Sequence, residues 1–311
     1  MKRWFPQNTP FEKAKPVERP GTESHGATGG LPRPPKPAEL PRGASGPTTA
    51  HHVSKGGPLR KDPLFIPEGR SARCSTGPHH LCYAALVIRP DELLITEIFH
   101  SLQGETTLVG VPFAFIRLTG CNLRCSYCDT AYAFKGKEKK TISKILNEIS
   151  SYGVAHVLIT GGEPLLQRNT PRLVDELVDA GYKVSIETHG ELSIQDVADK
   201  ARIILDIKTP SSGMSRGGYR NNLPLLKKED EIKFVIASEA DYVWARDIVR
   251  AGLPEVEAVL FSPAMPNAHA PGAYSGVAPR WLAERILEDR LPVRMQFQLH
   301  KLLWGPNQRG V

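Results

Sequence analysis

From Leu93 onward, short β-branched or apolar runs alternate with amphipathic stretches, and no other feature restricts the fold so strongly. The pattern is that of repeated βα units around a parallel sheet. Val111 to Leu118 (VPFAFIRL) reads as a first strand and Val157 to Thr160 as a buried second one. Lys183 to Glu187, Ile203 to Ile207, Ile232 to Ile236 and Val259 to Phe261 read as further strands, and Val293 to Leu299 as a last one. Between them, Thr141 to Ser151 sets Ile142, Ile145, Leu146 and Ile149 on one helical face. Pro171 suits the first turn of a helix carrying Leu173, Val174, Leu177 and Val178, and Trp281 to Glu288 forms a late helix. About six strands are too few to close an eight-stranded barrel. The expected fold is α/β, an open partial (β/α)6 barrel.

The first 90 residues obey different rules. They hold 15 Pro and 10 Gly, and 14 Lys or Arg against 6 Asp or Glu, which leaves 26 basic and 27 acidic residues for the rest. The net charge of +7 is therefore a property of this segment. Stretches such as Leu31 to Pro41 (LPRPPKPAELP) bury too little apolar surface to offset the entropy of ordering them. Two domains are expected: residues 1–90, a disordered basic extension, and residues 91–311, a folded domain with ample chain for one core. A basic tail reads either as a tether to nucleic acid or membrane, or as a dispensable extension. We take the second reading, so neither a nucleic-acid nor a membrane partner is expected. No apolar segment follows Met1-Lys2-Arg3 as a secretory signal would require, and no run of 18 apolar residues occurs. A cytoplasmic protein is expected.

In sheets of this kind ligands gather at the carboxyl ends of the strands. Four conspicuous segments fall there: the cysteine loop after the first unit, Gly161-Gly162-Glu163-Pro164 after the second, Glu187-Thr188-His189-Gly190 after the third, and Asp206 to Pro210 (DIKTP) after the fourth. Cys121, Cys125 and Cys128 form a C-x-x-x-C-x-x-C run with no fourth partner nearby; Cys74 and Cys82 lie far upstream. A 4Fe-4S cube takes one thiolate per iron, so three cysteines leave one iron open. A structural zinc site wants four ligands, usually from two separated knuckles. Disulfides fit poorly with five cysteines, three of them within eight residues.

Cys121-Asn122-Leu123-Arg124-Cys125-Ser126-Tyr127-Cys128 resembles the cluster motif of the radical S-adenosylmethionine (SAM) superfamily, with aromatic Tyr127 before the last cysteine. That resemblance implies a 4Fe-4S cluster on the three cysteines whose open iron binds the amino and carboxylate groups of SAM, and cleavage of the sulfonium to a 5'-deoxyadenosyl radical. GGEP, 33 residues after the last cysteine, resembles the second hallmark, in which Gly162 and Glu163 approach the methionine amino group. On its own GGEP is equally an ordinary strand-to-helix turn. By the same resemblance Glu187 and Thr188 would meet the ribose hydroxyls, Lys208 the cofactor carboxylate, and Tyr127, Cys128 and Asp129 the cofactor. Glu187 and Lys208 could instead be a surface pair.

The likeness narrows further. Ile95 to Glu105 (ITEIFHSLQGE), Arg117 in FIRLTGCN, Cys128-Asp129-Thr130 and Phe297 to Gly305 (FQLHKLLWG) resemble the 7-carboxy-7-deazaguanine synthase family of queuosine and deazapurine biosynthesis, over most of residues 93–306. This implies a lyase that contracts 6-carboxy-5,6,7,8-tetrahydropterin to 7-carboxy-7-deazaguanine with loss of ammonia, SAM being regenerated. It also implies Mg2+, for which the Thr130 hydroxyl is a suitable hard donor, although a Thr there could equally cap a helix. An anionic, planar pterin calls for Arg117 on its carboxylate, with Leu102, Gln103, Gly104, Glu105, Thr160, His300 and Pro306 around it. Gln103 and Gly104 could instead form a turn, and His300 could be a surface residue. Asn307 to Val311 continue past the point near Pro306 where the family typically ends. Expected partners are an external flavodoxin or ferredoxin type electron donor and a second copy in a homodimer. The alternatives are an activase that installs a glycyl radical on a partner enzyme, and a non-catalytic metal-binding module.

Overall fold

The computed structural model describes residues 90–136, 138–265 and 276–311. The disorder expected of residues 1–90 thus lies, but for Pro90, outside the described residues, as do Cys74 and Cys82. The described strands form one sheet. In chain order they are β1 (Glu92–Leu102), β2 (Pro112–Leu118), β3 (Glu138–Thr141), β4 (His156–Gly161), β5 (Lys183–Thr188), β6 (Arg202–Ile207), β7 (Glu231–Ile236), β8 (Ala258–Pro263) and β9 (Arg294–Met295). Their spatial order is β3-β1-β2-β4-β5-β6-β7-β8-β9, parallel from β2 to β9, with β1 antiparallel to both β2 and β3. The helices are α1 (Ile142–Ser150), α2 (Thr170–Asp179), α3 (Glu239–Ala251), α4 (Pro279–Glu288) and α5 (Leu299–Trp304). The architecture is a mixed α/β one whose parallel strands stay open rather than closing on themselves.

Helix starts follow local chemistry. The Thr141 side chain accepts from the Lys144 N–H to cap α1, Ser238 caps α3 by accepting from Asp241, and α2 opens with Pro171 in its first turn. Ile142, Ile145 and Ile149 of α1 and Leu173, Val174 and Leu177 of α2 are buried against the sheet, while Val178 turns out to solvent.

Three departures from the sequence expectation matter. An 11-residue β1 precedes the first expected strand; a register shift between Ile95 and Glu97 breaks its alternation and hides it from a period-two search. The β5–β6 and β6–β7 connections carry no α-helix. The expected strand from Val293 to Leu299 pairs only over Arg294–Met295, after which the Gln296 N–H reaches Phe261 O and the Leu299 N–H turns away to Gly104 O at 2.9 Å, starting α5. His300 therefore lies on a helix.

Alternation along each strand sorts residues between two faces. Ile116, Ile159, Ile186, Leu205, Ile232 and Phe234 join the large core shared with the helices. Phe113, Phe115, Leu158 and Ile204 form a smaller cluster on the opposite face, with Phe99, Leu108 and Val111 against it. One inward step further along, that second face turns polar: Arg117, Thr160, Asp206 and Lys233. The β1–β2 loop is fixed beneath them. Gly110 N donates to Gln103 O at 2.8 Å, and the Thr107 hydroxyl and Arg202 both donate to the buried Glu231 carboxylate at 2.7 and 2.6 Å.

Candidate active site

A cavity of about 230 Å3 opens at the carboxyl ends of the parallel strands. Its wall includes Gln103, Gly104, Glu105, Arg117, Cys121, Cys125, Tyr127, Cys128, Asp129, Thr130, Thr160, Gly162, Glu187, Thr188, Lys208, His300 and Pro306. Of the residues singled out from sequence, Leu102 and Glu163 alone are not on that wall. Leu102 ends β1 opposite Pro112.

The cysteine loop is shaped by its own backbone and pinned by a neighbour. Gly120 enters it with φ +93° and donates to Ala133 O at 2.8 Å. The Cys121 sulfur accepts from Leu123 N at 3.4 Å, and Cys128 N donates to Cys125 O at 3.2 Å. Arg124 stacks 4.2 Å over the Phe134 ring and donates to Cys121 O and Leu123 O. Ser126 donates through its N–H to Ser212 O and through its hydroxyl to Ser211 O at 2.6 Å, while the Tyr127 hydroxyl meets Thr209 Oγ1 at 3.2 Å. The loop is thus stapled to the segment after β6. Burial pushes all three thiols up, Cys128 to about 11.

GGEP is a packing solution as well as a motif. A Cβ on Gly161 would lie 2.2 Å from Leu118 O, and one on Gly162 only 2.1 Å from Gly120 O and 2.8 Å from the Cys121 Cβ, so the turn can press against the cysteine loop only as glycine. Glu163 is fully buried and does not line the cavity. Its Oε1 accepts from Leu165 N (3.0 Å) and the Thr188 hydroxyl (2.8 Å), and its Oε2 from His189 N (3.0 Å). Burial raises its carboxyl to about 7, and burial together with the positive charge of Lys208 lowers His189 to about 3. The 3.2 Å approach of His189 Nε2 to Glu163 is therefore not an ion pair at neutral pH. The same nitrogen meets Asn122 Oδ1 at 2.9 Å, tying ETHG to the cysteine loop.

A chain of buried charges crosses the cavity wall. Lys208 Nζ lies 2.8 Å from Asp206 Oδ2. Lys233 Nζ contacts the same Asp206 oxygen at 3.4 Å, Glu105 Oε2 at 2.8 Å, and Glu187 Oε1. Gln298 Nε2 then joins Glu105 (2.9 Å) to Asp129 (3.1 Å), and Lys301 closes on Asp129 at 2.7 Å. Burial opposes ionisation of Glu105, but the charges of Lys233 and His300 and the hydrogen bonds from Lys233 and Gln298 together outweigh it and hold the carboxyl at about 2. Asp129 is held far below the carboxylate range by Lys301 against the same penalty. Glu187 instead stays above its ordinary value, because burial outweighs Lys233 and the nearby Glu105 charge opposes ionisation as well. Glu187 and Lys208 are not paired with each other. The Thr130 hydroxyl donates to Asp129 Oδ1 at 2.9 Å and caps no helix, although a short 3-10 turn (Ala131–Phe134) follows it.

On the opposite side, Arg117 Nε donates to Glu97 at 2.7 Å, and Tyr132 donates to the same oxygen at 2.8 Å. The two terminal guanidinium nitrogens make no hydrogen bond among the described residues. Gly104 packs so tightly under α5 that a Cβ there would meet His300 Nδ1 at 2.2 Å. Gln103 is buried, and its Oε1 accepts from Glu105 N, so it both shapes the turn and lines the cavity. The tail after α5 crosses the rim: Asn307 to Val311 line the cavity, and Arg309 sits 4.0 Å over the Tyr132 ring.

Sequence reasoning missed the part played by two charged residues inside strands and by two polar residues at the start of α5. Asp206, Lys233, Gln298 and Lys301 all belong to the site. The available signal was a charge inside an apolar strand, as in IILDI and EIKFVI, where ionised groups are rarely buried without partners.

These residues suit the cofactors considered from sequence. No three His, Cys, Asp or Glu among the described residues converge as a single-ion site requires. A four-iron cube instead spreads its thiolates over separate irons, and three free cysteines around one cavity meet that need. The buried Asp206 Oδ1, without a partner among the described residues, offers an open acceptor to a ligand in the cavity.

Residues 115–220 match the model of the radical SAM superfamily. The chain is similar to the 7-carboxy-7-deazaguanine synthase of Koribacter versatilis, 44% identical over 225 residues that cover 70% of this chain and 99% of the relative. It is 42% identical to the enzyme of the same name from Chlorobaculum tepidum, over 70% of this chain and 97% of the relative. The crystal structure of QueE from Escherichia coli superposes with a TM-score of 0.51 at 25% identity, covering 66% of this chain and 94% of that one.

Proposed function

The chain belongs to the 7-carboxy-7-deazaguanine synthase family of radical SAM enzymes, and we propose that it converts 6-carboxy-5,6,7,8-tetrahydropterin to 7-carboxy-7-deazaguanine and ammonia with the residues placed above. The observation that carries this reading is that an Arg with free terminal donors, a Glu–Gln–His edge and three unpaired thiols share one cavity. When bound, the cluster on Cys121, Cys125 and Cys128 together with SAM supplies a carbon-centred radical for hydrogen abstraction.

The protein's part is positioning and charge. The Gly161-Gly162 backbone leaves room for the methionyl end of the cofactor, while Glu163 acts from behind the wall by holding that turn to Thr188 and His189. Glu187 and Thr188 receive the ribose hydroxyls, Lys208 faces the cofactor carboxylate, and Tyr127 and Asp129 complete that side. The terminal nitrogens of Arg117 bind the pterin carboxylate bidentately. Gln103, Gly104, Glu105, Thr160, His300 and Pro306 border the heterocycle, with Leu102 only setting up the turn. Thr130 offers its hydroxyl to Mg2+, whose shell substrate oxygens would complete. We further propose a flavodoxin or ferredoxin type electron donor, a homodimer, and a cytoplasmic location without nucleic-acid partner. No helix among the described residues is long and apolar enough to cross a membrane.

The relatives favour this activity over a glycyl-radical activase. The test is anaerobic incubation of the reconstituted protein with SAM, reductant and the carboxytetrahydropterin. Appearance of the deazaguanine acid by mass, with one ammonia per product, is expected. Turnover of SAM with no such product would overturn the assignment.

A further inference from the structure

Lys233 is the one lysine shared by the two halves of the charge chain. It rises from the middle of β7, its side chain is 5% exposed, and its ammonium touches three carboxylates drawn from three different segments. Glu187 lies one residue before the end of β5, Asp206 lies in the neighbouring β6, and Glu105 hangs from the β1–β2 loop. The ammonium donates hydrogen bonds to Glu105 and Glu187 and adds a longer ion pair to Asp206. The loop that presents Glu105 is itself anchored to β7 two residues earlier, through Thr107 and Glu231. Glu105 and Glu187 therefore answer to a common cation, although they lie 82 residues apart in the chain.

We infer that Lys233 is a positioning residue that couples the cofactor subsite to the pterin subsite. This rests on the reading above, in which Glu187 serves the ribose and Glu105 the heterocycle. Ribose hydroxyls donating to Glu187 satisfy part of its charge and slacken the Lys233 arm to it. The ammonium then leans on Glu105 and Asp206, which fixes Glu105 in the orientation the pterin needs. Binding of SAM accordingly tightens binding of the pterin, and linkage makes the effect reciprocal. A lysine that merely neutralised buried carboxylates would alter each affinity but not their ratio.

The experiment is calorimetric titration of the anaerobic, cluster-loaded protein with 6-carboxytetrahydropterin, with and without SAM and without reductant, so that no turnover occurs. In the unsubstituted protein SAM should lower the pterin Kd by roughly five-fold or more, the usual lower range of such couplings. In Lys233→Met the ratio should fall to within about two-fold of unity while SAM still binds, and Lys233→Arg should restore part of it. Should Lys233→Met fail to fold, Glu105→Gln carries the test, because removing one charged arm must shrink the ratio itself and not the pterin affinity alone. A ratio unchanged in these variants, or a ratio of one in the unsubstituted protein, overturns the inference while leaving the function standing. Failure of that protein to bind either molecule would instead overturn the functional reading, and the coupling with it.

Discussion

Gly162 illustrates how much a single position can decide. The missing side chain is what lets the turn after β4 touch the carbonyl of Gly120, and Gly162→Ala should force backbone apart at the cysteine loop, at a cost of about 1–3 kcal/mol. Fewer iron and sulfide ions per chain after reconstitution and a lower melting temperature would confirm it; full iron content would refute it. Arg117→Lys replaces a planar fork by a point charge and should raise the pterin KM roughly ten-fold, leaving substrate-free SAM cleavage unaltered. Glu163 supplies a pH signature. Its folded carboxyl sits near 7 because of burial, against an ordinary 4.5, so its stabilising contribution is whole below about pH 4.5 and is lost as pH rises through about 7. Melting curves between pH 5 and 8 should therefore fall with a slope that Glu163→Gln flattens, whatever constant offset the substitution brings. At this scale the cysteines, GGEP and Arg117 were legible because each is a rare residue in a fixed pattern. Asp206 and Lys233 were not: one charge in an apolar run marks a strand, but which face of that strand becomes concave is set by its neighbours in the sheet.

Among the elements, the loop after β6 carries only short 3-10 turns and yet has a central task, since it pins the cysteine loop through Ser211 and Ser212. Ser126→Ala removes the 2.6 Å hydroxyl bond to Ser211 O, about 1 kcal/mol of local restraint. Iron–sulfur absorbance near roughly 400 nm should then bleach faster under a chelator, with SAM affinity little changed. Identical bleaching rates would show the staple to be redundant. Most parallel strands and helices α1, α2 and α4 could be read from periodicity, because each buries one face in a shared core. Four elements were not, α3 and the four-residue β3 among them. β1 is bulged, so its alternation slips, and the stretch after Met295 is apolar enough for a strand but is captured by the backbone carbonyl of Gly104 and winds into α5 instead.

For the molecule as a whole, the family relatives are covered almost entirely by about 70% of this chain. Deleting residues 1–85 should leave iron content intact and kcat within about two-fold. A large loss would give that basic stretch a part in catalysis. The charge asymmetry between the two parts was plain from composition; the closure of the site was not, because it depends on the chain's last residues returning to the rim. That return has a practical side. With Arg309 laid on Tyr132 and Val311 among the lining residues, any purification handle fused behind Val311 would begin its path inside the entrance through which small molecules must pass. Preparations carrying such a fusion should turn over more slowly than those labelled at the other end, and proteolytic trimming of the fusion should return the lost rate.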